Sequence, residues 1–267
     1  MTNSLKLYWR YLDLSLRAQM QYRASFALKA SAQFFLTFME FLGLAALFHR
    51  FGQIRGWTLA EMALFYGIIS IAFAIAEAGA RGFDVFSRFV RMGDFDRVLL
   101  RPRSPALQVL GLEFQLMRIG RFTQGLLVLI WAAHHLPINW SLAKTAVVTW
   151  SITGGACLFA GLFVIQAALC FWTVEAIELV NCTTYGGVEI AQFPLSIYRG
   201  PLRTFFIWIV PLATINYFPA HALLEKPEVM GSSHLFQILA PAAGILFLIL
   251  ATAFWRFGVR HYRSTGS

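Results

Sequence analysis

Residues Thr145–Trp172 read TAVVTWSITGGACLFAGLFVIQAALCFW and carry no charge. Coiled as an α-helix at about 1.5 Å per residue, this stretch outruns the roughly 30 Å hydrocarbon core of a bilayer, so it reads as a transmembrane span. Working outward, Ser25–Phe48, Leu59–Ala80, Ala106–Ala133 and Phe236–Phe257 are comparable apolar runs. Of the 267 residues 58% are apolar, 13% are charged and 26 are phenylalanine, with a mean hydropathy of +0.62. A soluble domain, usually about 45–50% apolar, has no core large enough for that content. The composition therefore excludes a globular cytoplasmic enzyme and predicts an all-α polytopic membrane protein of six transmembrane helices. The third run opens with Glu113, Arg118 and Arg121, which are expected at the cytoplasmic headgroup level because continuous apolar sequence begins only at Phe122.

Residues 4–23 repeat apolar side chains at helical spacing (Leu5, Tyr8, Trp9, Leu12, Leu16, Met20) beside a charged stripe of Lys6, Arg10, Asp13 and Arg17. That pattern predicts an amphipathic helix lying at the headgroup level, not a cleavable signal. Residues 174–224 read in two ways. In one, 174–200 is a cytoplasmic loop and 201–222 the fifth span. In the other, 174–195 is the fifth span, despite Glu175, Glu178, Asn181 and Glu189, and 201–222, with Pro201, Pro211 and Pro219, is a broken helix pair dipping in from outside.

Charge sets the orientation. With the N-terminus inside, Lys6, Arg10, Arg17, Arg23, the arginines of the 81–103 loop and Arg256, Arg260 and Arg263 lie on the cytoplasmic side. Arg50, Arg55, Lys144 and Lys226 lie outside, joined by Arg199 and Arg203 if 201–222 is re-entrant. Positive residues concentrate inside, so both termini are expected to be cytoplasmic. The loop reading of 174–200 gives the slightly better charge score. The net charge of +9 is thereby assigned to orientation and anionic headgroups, and not to nucleic acid.

Catalytic signatures are absent from the sequence: it has no G-x-x-x-x-G-K-[ST], no H-E-x-x-H and no G-x-S-x-G. Cys157, Cys170 and Cys182 form no C-x-x-C pair and read as packing residues. His49, His134, His135, His221 and His234 fall at expected outer positions; only His221 and Glu225, one turn apart, resemble a metal-ligand spacing, and interface histidines are the plainer reading. Embedded acids are more informative, since a charge at mid-bilayer costs about 2.5–3.5 kcal/mol. Glu40, Glu178 and Glu189, with Asn181, are candidates for a polar translocation path; the plain alternative is interhelical hydrogen bonding. These acids look isolated among apolar neighbours, too few for a hydrophilic channel. An aromatic groove with a few polar points suits an amphiphilic substrate.

The loop Arg81–Arg103 holds six arginines. Phe83, Phe86 and Val90, with Phe89 beside them, give a short helix one aromatic face, while Asp84, Arg88 and Arg91 lie on its other sides. Gly93 ends it, Asp94 caps a next turn at 95–100, and Pro102 stops that turn. Such a face fits a groove on a peripheral partner, or else lies on the inner leaflet.

The phrase Gly93-Asp94-Phe95-Asp96-Arg97-Val98-Leu99-Leu100-Arg101-Pro102 resembles the G-x-[LF]-D-x-x-L-x-[RK]-P segment after the second span of permeases in the type 2 ABC exporter superfamily. Phe193-Pro194-Leu195-Ser196-Ile197-Tyr198, Pro211-Leu212-Ala213 and Tyr217-Phe218-Pro219-Ala220 are similar to that group's outer-end motif. Trp57-Thr58 and Phe171-Trp172-Thr173 also fit, in the right order. The resemblance implies a single permease domain over 1–267, in the cytoplasmic (inner) membrane, without its own ATPase. It implies assembly with an ATP-binding-cassette ATPase subunit, which binds ATP and Mg, and with a second or related permease copy. No cofactor is expected in this chain. The 81–103 loop becomes the coupling element, with Phe83, Phe86, Phe89, Arg88, Arg91, Asp94, Asp96 and Arg97 as its contact residues. By the same likeness 174–195 is taken as the fifth span and 201–222 as re-entrant. Two other classes stay open on the residues alone: a lipid-modifying membrane enzyme using Glu40 or Glu189, and a non-transporting scaffold or immunity protein.

Overall fold

Thr58 starts the central helix through a reciprocal cap: its hydroxyl accepts from the Glu61 amide at 3.4 Å, and its own amide donates to Glu61 Oε2 at 2.8 Å. A computed structural model describes residues 2–173, 176–198, 200–226 and 231–262, with side chains of 2–5 and 176–179 outside that description. In chain order the helices are α1 (Thr2–Met20), α2 (Arg23–Phe51), α3 (Leu59–Gly79), α4 (Arg81–Asp84), α5 (Phe86–Arg91), α6 (Asp94–Leu99) and α7 (Pro105–Leu110). There follow a 3-10 turn at Leu116–Arg118, α8 (Ile119–His135), α9 (Leu142–Leu169), α10 (Ala176–Ala191) and α11 (Pro201–Thr204), which runs on into a wide turn at Phe205–Ile209. The last are α12 (Leu212–Ile215), α13 (Tyr217–Leu224), α14 (His234–Leu239) and α15 (Ala242–His261). Among the described residues there is no β-strand, and the fold is an all-α polytopic membrane fold.

Five helices are long and apolar enough to cross a membrane: α2, α3, the Leu116–His135 segment, α9 and α15. They pack in the order α15, α9, α3, α8, α2, with α10 against α9 and α3. The apolar window of α3 is 78% buried and that of α2 only 17%, which puts α3 at the core and α2 at the rim. Close approach of α9 and α15 is possible because Gly154 faces Gly244: a Cβ on Gly244 would land on the Gly154 backbone.

Two expected runs change shape. The third span is not one helix from 106 to 133. It breaks between α7 and Leu116, and side chains of α1 satisfy the freed backbone: Gln19 Nε2 donates to the Phe114 carbonyl at 2.6 Å, and Gln19 Oε1 accepts from the Leu116 amide at 3.1 Å. The amphipathic helix thus ends at Met20 and caps that break, leaving Trp9 on its open side. The last span is divided at Pro241, whose missing N–H separates α14 from α15. Residues 201–224 form a helix pair bent by 65°, as Pro211 at the bend requires, and so are no straight span.

Both flanks of that pair come to one end of α3. Before it, Ser196 Oγ accepts from Trp57 Nε1 at 3.2 Å, and the Ser196 carbonyl accepts from Arg55 at 2.8 Å. After it, Lys226 pairs with Glu61 at 2.8 Å and sits 3.6 Å over the Trp57 ring. Asn216 donates to the Ala191 carbonyl, which ties the pair to the end of α10. At the other end of the fold Tyr185 of α10 donates to Asp84 at 3.1 Å.

Candidate functional site: the loop and the charged seam

The loop between α3 and α7 folds as three short helices, and its aromatic face turns inward. Phe83 and Phe86 are buried, and their rings lie 5.1 and 4.9 Å from Trp255 of α15. Phe86 also meets Phe95 at 5.0 Å and Phe171 at 5.5 Å. Phe89 is half-buried against the same core. The expectation that these phenylalanines plug a partner's groove is thereby corrected: the amphipathic period was right, but their groove belongs to this chain. Phe95 packs into the same aromatic cluster, 5.4 Å from Phe171. Gly93, in the left-handed region at φ 71°, begins α6, and Asp94 does not cap it; its carboxylate instead meets Arg97 at 3.3 Å. Asp96 is half-buried.

What the loop leaves open is basic. Arg88 and Arg91 are exposed, and Arg97 has 81% of its side chain in solvent. Among them stand Met92 and Leu100, the latter 85% exposed.

Above the loop the helices enclose charges that the sequence alone left scattered. Arg118 pairs with Glu77 at 2.6 Å, and its other nitrogens donate to Gln33 and Gln115, each at 3.0 Å. Glu77 is 2% exposed and Arg118 13%, so neither is solvated as a headgroup-level residue would be. Arg81 bonds Asp84 within α4, and Gln166 of α9 donates to the same carboxylate at 3.3 Å. With Tyr185, and with Glu113 lying 3.9 Å from Arg81 and accepting from Gln115 at 2.7 Å, this joins α3, α4, the 3-10 turn before α8, α9 and α10 in one polar knot at the root of the loop. The spacing of Arg118 and Arg121, three apart ahead of an apolar run, was the available signal.

Of the candidate path residues, Glu40 is not isolated: its carboxylate lies 4.0 Å from Arg121, whose guanidinium sits 5.1 Å over the Phe73 ring. Glu189 is exposed on α10, and Asn181 Oδ1 is buried with no hydrogen-bond partner. Glu178 lies in α10, but its side chain is outside the described residues. Arg199, expected on the outer side, is likewise outside them. Glu40, Arg121 and Phe73 therefore form a group between α2, α8 and α3.

His221 and Glu225 are engaged elsewhere. The His221 ring stands 5.3 Å from Trp57 with Nδ1 against the Tyr217 carbonyl, and Glu225 meets Lys144 at 2.8 Å. The Lys144 ammonium holds the Glu225 carboxyl below the usual carboxylate range. Among the described residues no three His, Cys, Asp or Glu side chains gather as a metal site. Cys157, Cys170 and Cys182 are free thiols.

These helices form an all-α membrane domain whose exposed basic loop is rooted in a buried ionic network. The profile of the family described as ABC-2 family transporter protein matches residues 34–266, and the chain belongs to that family. No curated protein and no solved structure matches it. As an ABC-type permease subunit it is a membrane component that works with an ATP-binding-cassette component, and not itself the catalytic part.

Proposed function

We propose that this chain is the membrane subunit of an exporter of amphiphiles, paired with a second or related permease copy in the cytoplasmic membrane, both termini inside. ATP and Mg are bound and used by the partner ATPase. The observation that carries the reading is the two-sided loop. Its inner face is locked on Trp255 and Phe171, so the loop moves with α15 and α9, while its outer face offers Arg88, Arg91, Arg97 and Met92 to a partner. A push on that face reaches Arg81 and Asp84, and through them Tyr185 and Gln166 on α10 and α9. Asp94 and Asp96 shape α6 within the same surface. Glu40, Arg121, Glu178, Asn181 and Glu189 are the polar points that an amphiphile's head would meet. A re-entrant placement of 201–224 is supported by the return of both flanks to Trp57.

The test is Arg88→Glu with Arg91→Glu. Both side chains are exposed, so insertion and folding stay intact. Co-purification of the ATPase, or coupling of its hydrolysis to transport, should be lost. Normal transport by the double variant would overturn the docking assignment.

A further inference from the structure

Ile249, Ala253, Arg256 and Arg260 recur at i, i+4, i+7 and i+11 along α15, so they share one face of that helix. Ile249 is 57% exposed, and Ala253, Arg256 and Arg260 are exposed with it. The face thus passes from bare apolar surface to two cations within about three turns. Like charges at i, i+4 destabilise a helix. Among the described residues neither guanidinium has a carboxylate partner to offset that repulsion.

Both arginines line a cavity of about 360 Å³ between this end of α15 and the start of α7. Trp255 and Val259 with Pro105 and Ala106 give it apolar walls, and no carboxylate lines it. Two hydroxyls complete the lining. That of Thr252 donates to the Ile249 carbonyl at 2.8 Å. That of Ser104 stands at the head of α7, exposed, without making the cap bond that its position usually supports. Three donor groups therefore converge on one cavity: Arg256, Arg260 and Ser104.

An anion answers this lining, and guanidinium forks match the oxygens of a phosphate in particular. A zwitterionic headgroup would bring an ammonium as well, which no acid in the cavity receives. A free anion would use the arginines alone, whereas a lipid also covers the exposed apolar half of the same face. We propose that the cavity binds the headgroup of an anionic phospholipid with one phosphodiester and no amine, as phosphatidylglycerol has. Arg256 and Arg260 donate to the phosphate oxygens, Ser104 donates from the α7 side, and an acyl chain lies along Ala253 and Ile249. A lipid held this way ties α15 to the start of α7, where the 81–103 loop ends. Binding needs neither ATP nor a second subunit, so it stands apart from the transport reading.

The experiment uses the purified full chain in detergent micelles, titrated with phosphatidylglycerol, phosphatidylethanolamine and phosphatidylcholine of identical acyl chains, and bound lipid is counted by native mass spectrometry. Phosphatidylglycerol should bind about tenfold more tightly than either zwitterionic lipid, the scale on which two basic residues favour an anionic headgroup. Excess inorganic phosphate should not displace it. Arg256→Gln with Arg260→Gln should bring the three lipids level. Ser104→Asp should do the same by setting an acid against the arginines, and aspartate is a good N-cap, so α7 keeps its start. Arg88→Gln with Arg91→Gln removes the same charge from the same end of the fold and should leave the preference intact. Equal binding of the three lipids by the unaltered chain, a preference that survives both cavity variants, or an equal loss in the Arg88 and Arg91 variant would each overturn the proposal. Displacement by inorganic phosphate would overturn it too, by assigning the site to a free anion.

Discussion

Replacing Arg118 by leucine isolates what the buried ion pair does. The guanidinium lies 2.6 Å from Glu77 and donates to two amide oxygens at 3.0 Å, with 13% of the side chain exposed. Its removal strands a carboxylate that is 2% exposed and whose second oxygen already lacks a partner. Breaking a buried pair from one side costs about 3–5 kcal/mol. At about 1.36 kcal/mol per tenfold, the unfolding equilibrium of Arg118→Leu should shift by roughly two to four orders of magnitude. Glu77→Leu alone should cost less, because Arg118 keeps Gln33 and Gln115 as acceptors. The double variant should recover most of the loss, leaving about 1–2 kcal/mol for the orphaned amide oxygens, since an apolar replacement of a buried pair is often neutral. The measurement is a double-mutant cycle on the purified chain in bicelles, with unfolding followed by tryptophan fluorescence. If each single substitution costs under about 1 kcal/mol and the two simply add, the pair is not buried as described and the knot at the loop's root fails with it.

Phe86→Ala, which empties a fully buried ring site against Trp255, Phe95 and Phe171, should destabilise the chain by about 3–5 kcal/mol, read in the same unfolding assay. Arg91→Glu should leave that stability within about 0.5 kcal/mol, and this contrast separates packing from docking on one short helix. Gly244→Val should abolish a folded monodisperse peak on size exclusion, because the new side chain would occupy the Gly154 backbone. In a background with Cys157, Cys170 and Cys182 replaced by alanine, Arg203→Cys should react with a membrane-impermeant thiol reagent added to intact cells. Reaction only after the membrane is opened would favour 201–222 as a crossing span.

The spans α2, α3 and α9 and their rough ends are local properties, and the sequence determined them by itself. Thr145–Trp172 is too apolar and too long for any other use, and Thr58 with Glu61 marks the start of α3 within four residues. The loop's amphipathic period was equally plain. What covers its aromatic face was not, because Trp255 and Phe171 reach it from distant parts of the chain. The same holds for the break before α8: the hydropathy of 106–133 permits one helix, and the interruption is stabilised by Gln19 and Ser15 of α1, which donate to the Phe114 carbonyl from 95 and 99 residues away. Glu40 and Arg118 looked like separate charges for a similar reason. Hydropathy sums over neighbours in sequence, whereas a charge is stabilised by neighbours in space, and folding alone brings Arg121 to Glu40 and Glu77 to Arg118. Tertiary structure also left the buried Gln124 amide of α8 without a hydrogen-bond partner, at a position that sequence periodicity would pass as ordinary core.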